Sequence, residues 1–126
     1  MADLISLDLG ISAASKFLAL LDSNGYALRA AVWAPRDEEE WRLLLLPETT
    51  EGDLRETAKV IEIMSMHSDQ FPGRRRPRFE IVRPNHPLIQ AMRRFPVAAS
   101  DHPREVRGVF DGPNYFDQAV ILRMAA

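Results

Sequence analysis

The stretch ALRAAVWAPRDEEEWRLLLL, residues 27–46, decides the fold. It contains two apolar runs, 27–34 and 41–46, separated by Pro35 and five consecutive charged residues. The first run carries valine and tryptophan, which favour strands, and a proline follows each run. The pattern therefore predicts a β-hairpin with a charged, solvated tip.

The second strand of this hairpin is apolar on both of its faces. Successive side chains of a strand point to opposite faces of the sheet. One face takes Trp41, Leu43 and Leu45, and the other takes Arg42, Leu44 and Leu46. A strand covered on one side only would alternate apolar and polar residues. We therefore expect this strand to be sandwiched inside the sheet or to lie under a subunit contact.

Helices are predicted on both sides of the hairpin. An apolar stripe from Ser12, a candidate cap, to Asn24-Gly25 predicts the first helix. Residues 3–11 fit a strand, a helix or an arm, because their apolar residues match both periods. After the hairpin, acidic residues around Asp53 open a second helix that must end before Pro72. Its core side is predicted to comprise Leu54, Ala58, Ile61 and Ser65, widened by Val60, Ile63, Met64 and His67.

The rest of the chain adds three strands and a short helix. Strands are predicted over 79–83, 106–110 and 118–124, and Pro87 in a first turn opens the third helix. The order α-β-β-α-β-α-β-β implies an α+β fold in one globular domain, 1–126. Its sheet is mixed, largely antiparallel and about five-stranded, with helices mainly on one face.

Several short sequence motifs accompany this order of elements. They are Gly25, Ala30-Ala31-Val32-Trp33, Trp41-Arg42-Leu43, His86-Pro87-Leu88-Ile89, and Asp117-Gln118-Ala119 leading to Arg123. Together they resemble small bacterial proteins of unassigned function over roughly residues 12–124. The motifs are structural, so the resemblance implies a fold and no activity.

Composition excludes several classes of site. The 126 residues include no cysteine, which removes disulfides, thiolate metal sites and cysteine nucleophiles. The histidines, His67, His86 and His102, have no metal-ligand spacing. Apolar runs are too short to span a membrane, and Asp3 stands where a signal peptide would carry positive charge. We expect a cytoplasmic protein with no cofactor and no membrane partner.

The strongest binding feature is a basic segment. Residues 74–107 hold nine arginines against three acidic residues, whereas the formal net charge of the whole chain is −2. The candidate partner-binding residues are Arg74, Arg75, Arg76, Arg78, Arg83, Arg93 and Arg94. Guanidinium groups suit carboxylates and phosphates. Repulsion from the acidic half of the chain would weaken binding to nucleic acid, so an acidic protein is favoured as the partner. The alternative is an ordinary solvated loop with no partner.

One short motif suggests an enzymatic function instead of partner binding. LISLDLG, residues 4–10, resembles the first strand of ribonuclease-H-like and actin-like folds, which implies that Asp8 binds Mg²⁺ or faces a phosphate. Glu56 or Glu62 would supply further carboxylates, but Arg83 stands where the third strand would need an acid. This phosphoryl-transfer reading is the alternative to a non-enzymatic association protein. We assign no catalytic, metal or cofactor residue.

The apolar second face of the hairpin also predicts a homodimer. Three helices of modest length cover one face of a five-stranded sheet and leave little chain for the other. Trp33, Leu44 and Leu46 are therefore the candidate dimer contacts. The competing explanation is that residues 3–9 fold back over that face and leave the protein monomeric.

Overall fold

A computed structural model describes residues 4–35, 41–48, 52–70, 78–98 and 102–125. Its elements are α1 (Leu4–Ser23), β1 (Leu28–Pro35), β2 (Trp41–Pro47), α2 (Asp53–Met66), a 3₁₀ turn (Ser68–Gln70), β3 (Phe79–Ile81), α3 (Pro87–Met92), β4 (Arg104–Asp111) and β5 (Asn114–Met124). The predicted order of helices and strands is confirmed.

The five strands form one sheet in the order β3-β2-β1-β5-β4. Among these five described strands, β2 and β3 pair in parallel and the other neighbours pair antiparallel. The mixed, largely antiparallel α+β sheet is thus confirmed. The hairpin of β1 and β2 is also confirmed, with Trp33 opposite Leu43. Its charged tip, 36–40, lies outside the described residues.

Helices α1 and α2 cover one face of the sheet. Phe17 and Leu21 of α1 are fully buried there with Leu43 and Leu45 of β2. Helix α1 ends at Ser23, and Gly25 just beyond it has the predicted left-handed conformation, with a φ of 75°. The Tyr26 amide donates to the Leu21 carbonyl at 3.0 Å, and the Gly25 amide to that of Asp22 at 3.1 Å, as in a Schellman motif.

The start of α1 differs from the prediction. The helix begins at Leu4, so Ser12 is an exposed residue inside it and not its cap. A close approach to the sheet accompanies this longer helix. A Cβ atom placed on Gly10 would lie 3.0 Å from Cζ2 of Trp33, so α1 passes directly over the indole ring. Glycine at this position therefore allows α1 to pack onto β1.

The short helix α3 covers the second face of the sheet. It begins as predicted at Pro87, and His86 caps it: Nδ1 accepts a hydrogen bond from the Leu88 amide at 3.2 Å. Ile89 and Met92 are fully buried, in one cluster with Leu44 and Leu46. The expectation that little chain remains for this face is wrong. Small side chains on this face reduce the volume that must be filled: Ala30, Ala34, Ala91 and Ala119.

Helix α2 is rotated relative to the prediction. Leu54, Ala58, Ile61 and Ser65 are exposed, and the helix instead buries Glu56, Val60 and Met64. The main predicted stripe thus faces solvent, whereas Val60 and Met64, which were predicted to widen it, are buried. Glu56 is only 1% exposed, and its carboxylate is engaged on both oxygens: the Tyr26 hydroxyl donates to Oε2 at 3.3 Å and Lys59 Nζ approaches Oε1 at 3.4 Å. These contacts compensate the burial of the carboxylate.

Candidate partner-binding surface

Two arginines contact one phenylalanine where α3 ends and β4 begins, and a third arginine precedes it in the chain. Arg93 and Arg94 follow the last turn of α3, and Arg104 is the first residue of β4. Between them lies half-buried Phe95, whose ring centroid is 4.9 Å from Cζ of Arg104 and 5.9 Å from Cζ of Arg94. Both distances are within the range of cation–π contact. We call Arg93, Arg94, Phe95 and Arg104 the arginine surface.

The three guanidinium groups differ in how far they are already engaged. Arg94 donates to the carbonyls of Ala91 and Phe110 at 3.2 and 2.9 Å, and lies 3.7 Å from Asp111. Arg93 and Arg104 are exposed and form no ion pair with any residue that the structure describes. A cation–π contact uses the flat face of a guanidinium and leaves its N–H edge open to an oxyanion.

The remaining predicted arginines do not join this surface. Arg78 and Arg83 flank β3 at its opposite ends, and Arg83 Nε lies 3.5 Å from Asp53 at the start of α2. Arg74, Arg75 and Arg76 lie outside the described residues. Of the candidate set, the structure therefore brings together Arg93 and Arg94, and adds Arg104 from the same basic segment.

Arg107, another member of the basic segment, is engaged within β4. It lies 2.7 Å from Glu105, whose pKa it lowers by hydrogen bonding to the ionised carboxylate. Gln118 donates to the same carboxylate at 2.9 Å. Arg107 therefore carries a charge that is locally balanced, and we leave it out of the arginine surface.

The candidate dimer contacts do not form one patch. Trp33 packs on the α1 and α2 side, stacked on Trp41 with ring centroids 6.0 Å apart. Leu44 and Leu46 point to the opposite face and are covered by α3 of the same chain. Strand β2 is thus sandwiched, one of its two expected arrangements. The homodimer stays a prediction, but these three residues are buried and offer no exposed surface for a second copy of the chain.

The structure also places the residues of the phosphoryl-transfer alternative. That alternative requires a strand through Asp8, whereas residues 4–23 form α1. Of the additional acids, Glu56 is buried against Tyr26 and Lys59, and Glu62 is on the exposed side of α2. Within the described ranges, no group of three or more histidine, aspartate or glutamate side chains is placed to hold a metal ion.

A cleft of about 410 Å³ opens beside α3 and was missed by the sequence analysis. Arg42 and Glu80 line it, 3.9 Å apart, together with His86. Burial lowers the pKa of His86, with Glu80 opposing the shift. Since its Nδ1 accepts from the Leu88 amide, the proton of the neutral ring is on Nε2. The lining residues come from several strands, so no spacing of residues along the sequence predicts the cleft.

Comparisons with protein-family models, curated proteins and solved structures give no match. Across the parts of the chain that the structure describes, no helix combines the length and apolar character needed to cross a membrane. The fold and the arginine surface therefore carry the functional argument by themselves.

Proposed function

We propose that this protein is a non-enzymatic association protein that binds an acidic protein segment through the arginine surface. The observation that carries the proposal is the exposed guanidinium group of Arg104 over the ring of Phe95, with exposed Arg93 two residues before that ring in the chain. Neither forms an ion pair within the described residues, so binding a carboxylate there breaks no ion pair among those residues.

The chemistry of the surface favours a carboxylate-bearing partner with some apolar content. Arginine presents two parallel N–H groups to a carboxylate, and the exposed part of Phe95 offers apolar contact beside them. Nucleic acid is the weaker candidate, because its continuous phosphate backbone would also pass the acidic remainder of a chain whose net charge is −2, whereas a short acidic segment contacts the basic residues alone. The three consecutive arginines at 74–76 are proposed as a second contribution to the same partner.

The test measures binding of a fluorescein-labelled peptide of glutamate, aspartate and leucine by fluorescence anisotropy. Replacing Arg93 and Arg104 together by alanine removes two charge-assisted contacts, and we expect the affinity to fall about tenfold or more. Binding should also weaken as salt rises. Arg55→Ala is the matched control for Arg93→Ala alone, because each removes one positive charge and Arg55 is on α2, on the opposite face of the sheet.

Two further variants, measured in the same peptide-binding assay, test the contributions of the Phe95 ring and of the three arginines at 74–76. Phe95→Leu keeps an apolar residue but removes the ring, so we expect weaker binding with the charge unchanged. Triple replacement of Arg74, Arg75 and Arg76 by alanine should reduce affinity and leave the melting temperature within a few degrees of wild type. Equal peptide binding by wild type and the Arg93 and Arg104 double variant refutes the proposal, as does tighter binding of a single-stranded RNA.

A further inference from the structure

Helix α2 exposes an apolar stripe to solvent. Leu54 is 88% exposed and Ile61 is 50% exposed, and Ala58 and Ser65 are exposed between and beyond them. Residues 54, 58, 61 and 65 follow the alternating spacing of four and three that places side chains along one seam of a coiled coil. The side of α2 that packs on the sheet is a different one, centred on Val60. The helix therefore has two apolar sides, of which one is unoccupied by described residues.

Charges flank the stripe on one side only. Arg55 and Glu62 are seven residues apart, so they lie on the same flank of the helix, one beside Leu54 and the other beside Ile61. Both are exposed, and neither forms an ion pair with a described residue. The other flank carries no charge: it has Thr57 and then Met64, which is buried in the core. A partner helix that complements this pattern must offer a negative and a positive charge in the reverse order.

The same helix running antiparallel offers that order. A two-fold axis near Ala58 places identical flanks of the two helices side by side and reverses their direction. Arg55 then faces Glu62 of the partner subunit, and the pairing occurs twice. A parallel arrangement would set Arg55 against the uncharged flank instead. The small side chain of Ala58 at the crossing point allows the two backbones to approach.

We propose that a second copy of this chain docks on the exposed stripe of α2, antiparallel, to form a weak homodimer. The contact consists of one pair of short helices, which is at the small end of specific interfaces and implies a transient association. It uses no residue of the arginine surface, which is on the other face of the sheet. The proposal therefore stands or falls independently of acidic-peptide binding.

Sedimentation equilibrium on the whole chain, from about 10 μM to about 1 mM, tests the proposal. The average mass should rise from 14.3 kDa toward twice that value as the concentration increases. Ile61→Asp places a charge in the seam and should keep the protein monomeric. Arg93→Glu is the control, since it reverses a charge on the opposite face and should leave the association unchanged.

The charge pattern permits a sharper experiment. Arg55→Glu makes the flank wholly negative and Glu62→Arg makes it wholly positive, so each variant alone should be at least tenfold weaker in self-association. An equimolar mixture of the two should recover dimers, because every facing pair is then opposite in charge. Circular dichroism of each variant checks that the fold is kept.

Three results would overturn the proposal. Wild type that remains monomeric to the highest concentration contradicts any such dimer. Dimerisation that survives Ile61→Asp places the contact elsewhere. A mixture of the Arg55→Glu and Glu62→Arg variants that stays monomeric contradicts the antiparallel register.

Discussion

Substituting Gly10 by alanine tests how α1 is seated on the sheet. The added Cβ would lie 3.0 Å from Cζ2 and 3.1 Å from Nε1 of Trp33, closer than the 3.5–4.0 Å or so of ordinary carbon contacts. The indole cannot simply withdraw. It is only 8% exposed, and it stacks on Trp41 with an interplanar angle of 28°. Either the ring or α1 must shift by several tenths of an ångström.

Two opposing terms set the size of the effect. Alanine in a helix interior is favoured over glycine by about 1 kcal/mol. Overpacking a buried contact costs about 1–3 kcal/mol. We therefore expect Gly10→Ala to lower the free energy of unfolding by about 1 kcal/mol, or roughly 4 °C in melting temperature for a chain of this size.

A double-mutant cycle with Trp33→Phe separates the two terms. Phenylalanine lacks the indole Nε1 and Cζ2 atoms, so in that background Gly10→Ala should be stabilising by up to about 1 kcal/mol. The coupling between positions 10 and 33 is then about 2 kcal/mol, measured by urea unfolding followed by circular dichroism. Ser12→Ala, an exposed position in the same helix, is the control and should show no coupling. Equal stabilisation by Gly10→Ala in both backgrounds would refute the close packing of α1 on Trp33.

Three other predictions concern pH, an ion pair and metal binding. Burial lowers the pKa of His86 below 6.5 in the folded protein. The unfolded chain therefore binds a proton at this residue more readily than the folded chain, so the free energy of unfolding should fall as pH drops below about 6.5. His86→Asn keeps a capping side chain and should flatten the dependence of urea midpoints between about pH 7.5 and about pH 5; an unchanged slope contradicts the assignment. Arg123 donates two hydrogen bonds to Asp22 at 2.9 and 2.6 Å, which join β5 to α1. Arg123→Ala should therefore lower the free energy of unfolding by about 1 kcal/mol, as measured in thermal melts. A variant with the melting temperature of the wild type would contradict this prediction. Calorimetry with Zn²⁺, Mn²⁺ and Mg²⁺ should show no saturable heat, whereas a one-site micromolar isotherm lost in Asp8→Asn would revive the phosphoryl-transfer alternative.

Local signals in the sequence were sufficient for most of the fold. The hairpin follows from two apolar runs around a charged tip, and the end of α1 follows from Gly25. The start of α3 follows from His86 and Pro87, which the structure places as cap and first helical residue. Each of these features depends on neighbours within a few residues, and such preferences are readable without tertiary information.

The face of α2 was not predictable in the same way. The helix carries two apolar stripes, one through Leu54 and Ile61 and one through Val60 and Met64. The hydrophobicity of their residues does not indicate which of the two stripes is buried. The structure buries the stripe that includes Glu56. A carboxylate at that position is tolerated because Tyr26, thirty positions earlier, donates a hydrogen bond to it. That compensation is long-range and leaves no periodic signal.

The candidate site shows the same limit. The basic segment was identifiable from composition, but the assembly of the arginine surface depends on β4 returning beside the end of α3. Arg104 reaches Phe95 only through that arrangement. The second face of the sheet was misjudged for a related reason. The volume that α3 must fill depends on which alanines of β1 and β5 point toward it, such as Ala30 and Ala119.

The central position of β1 also has a consequence for how the protein is made. Its partner on one side is β2, a hairpin neighbour, but its partner on the other is β5, where Ala30 pairs with Met124 and Trp33 with Val120. During synthesis, β1 therefore keeps an unpaired apolar edge until β5 has been translated, and such edges recruit other chains. A product truncated before Asn114 would lose the strand next to the centre of the sheet, and its expected fate is aggregation or proteolysis.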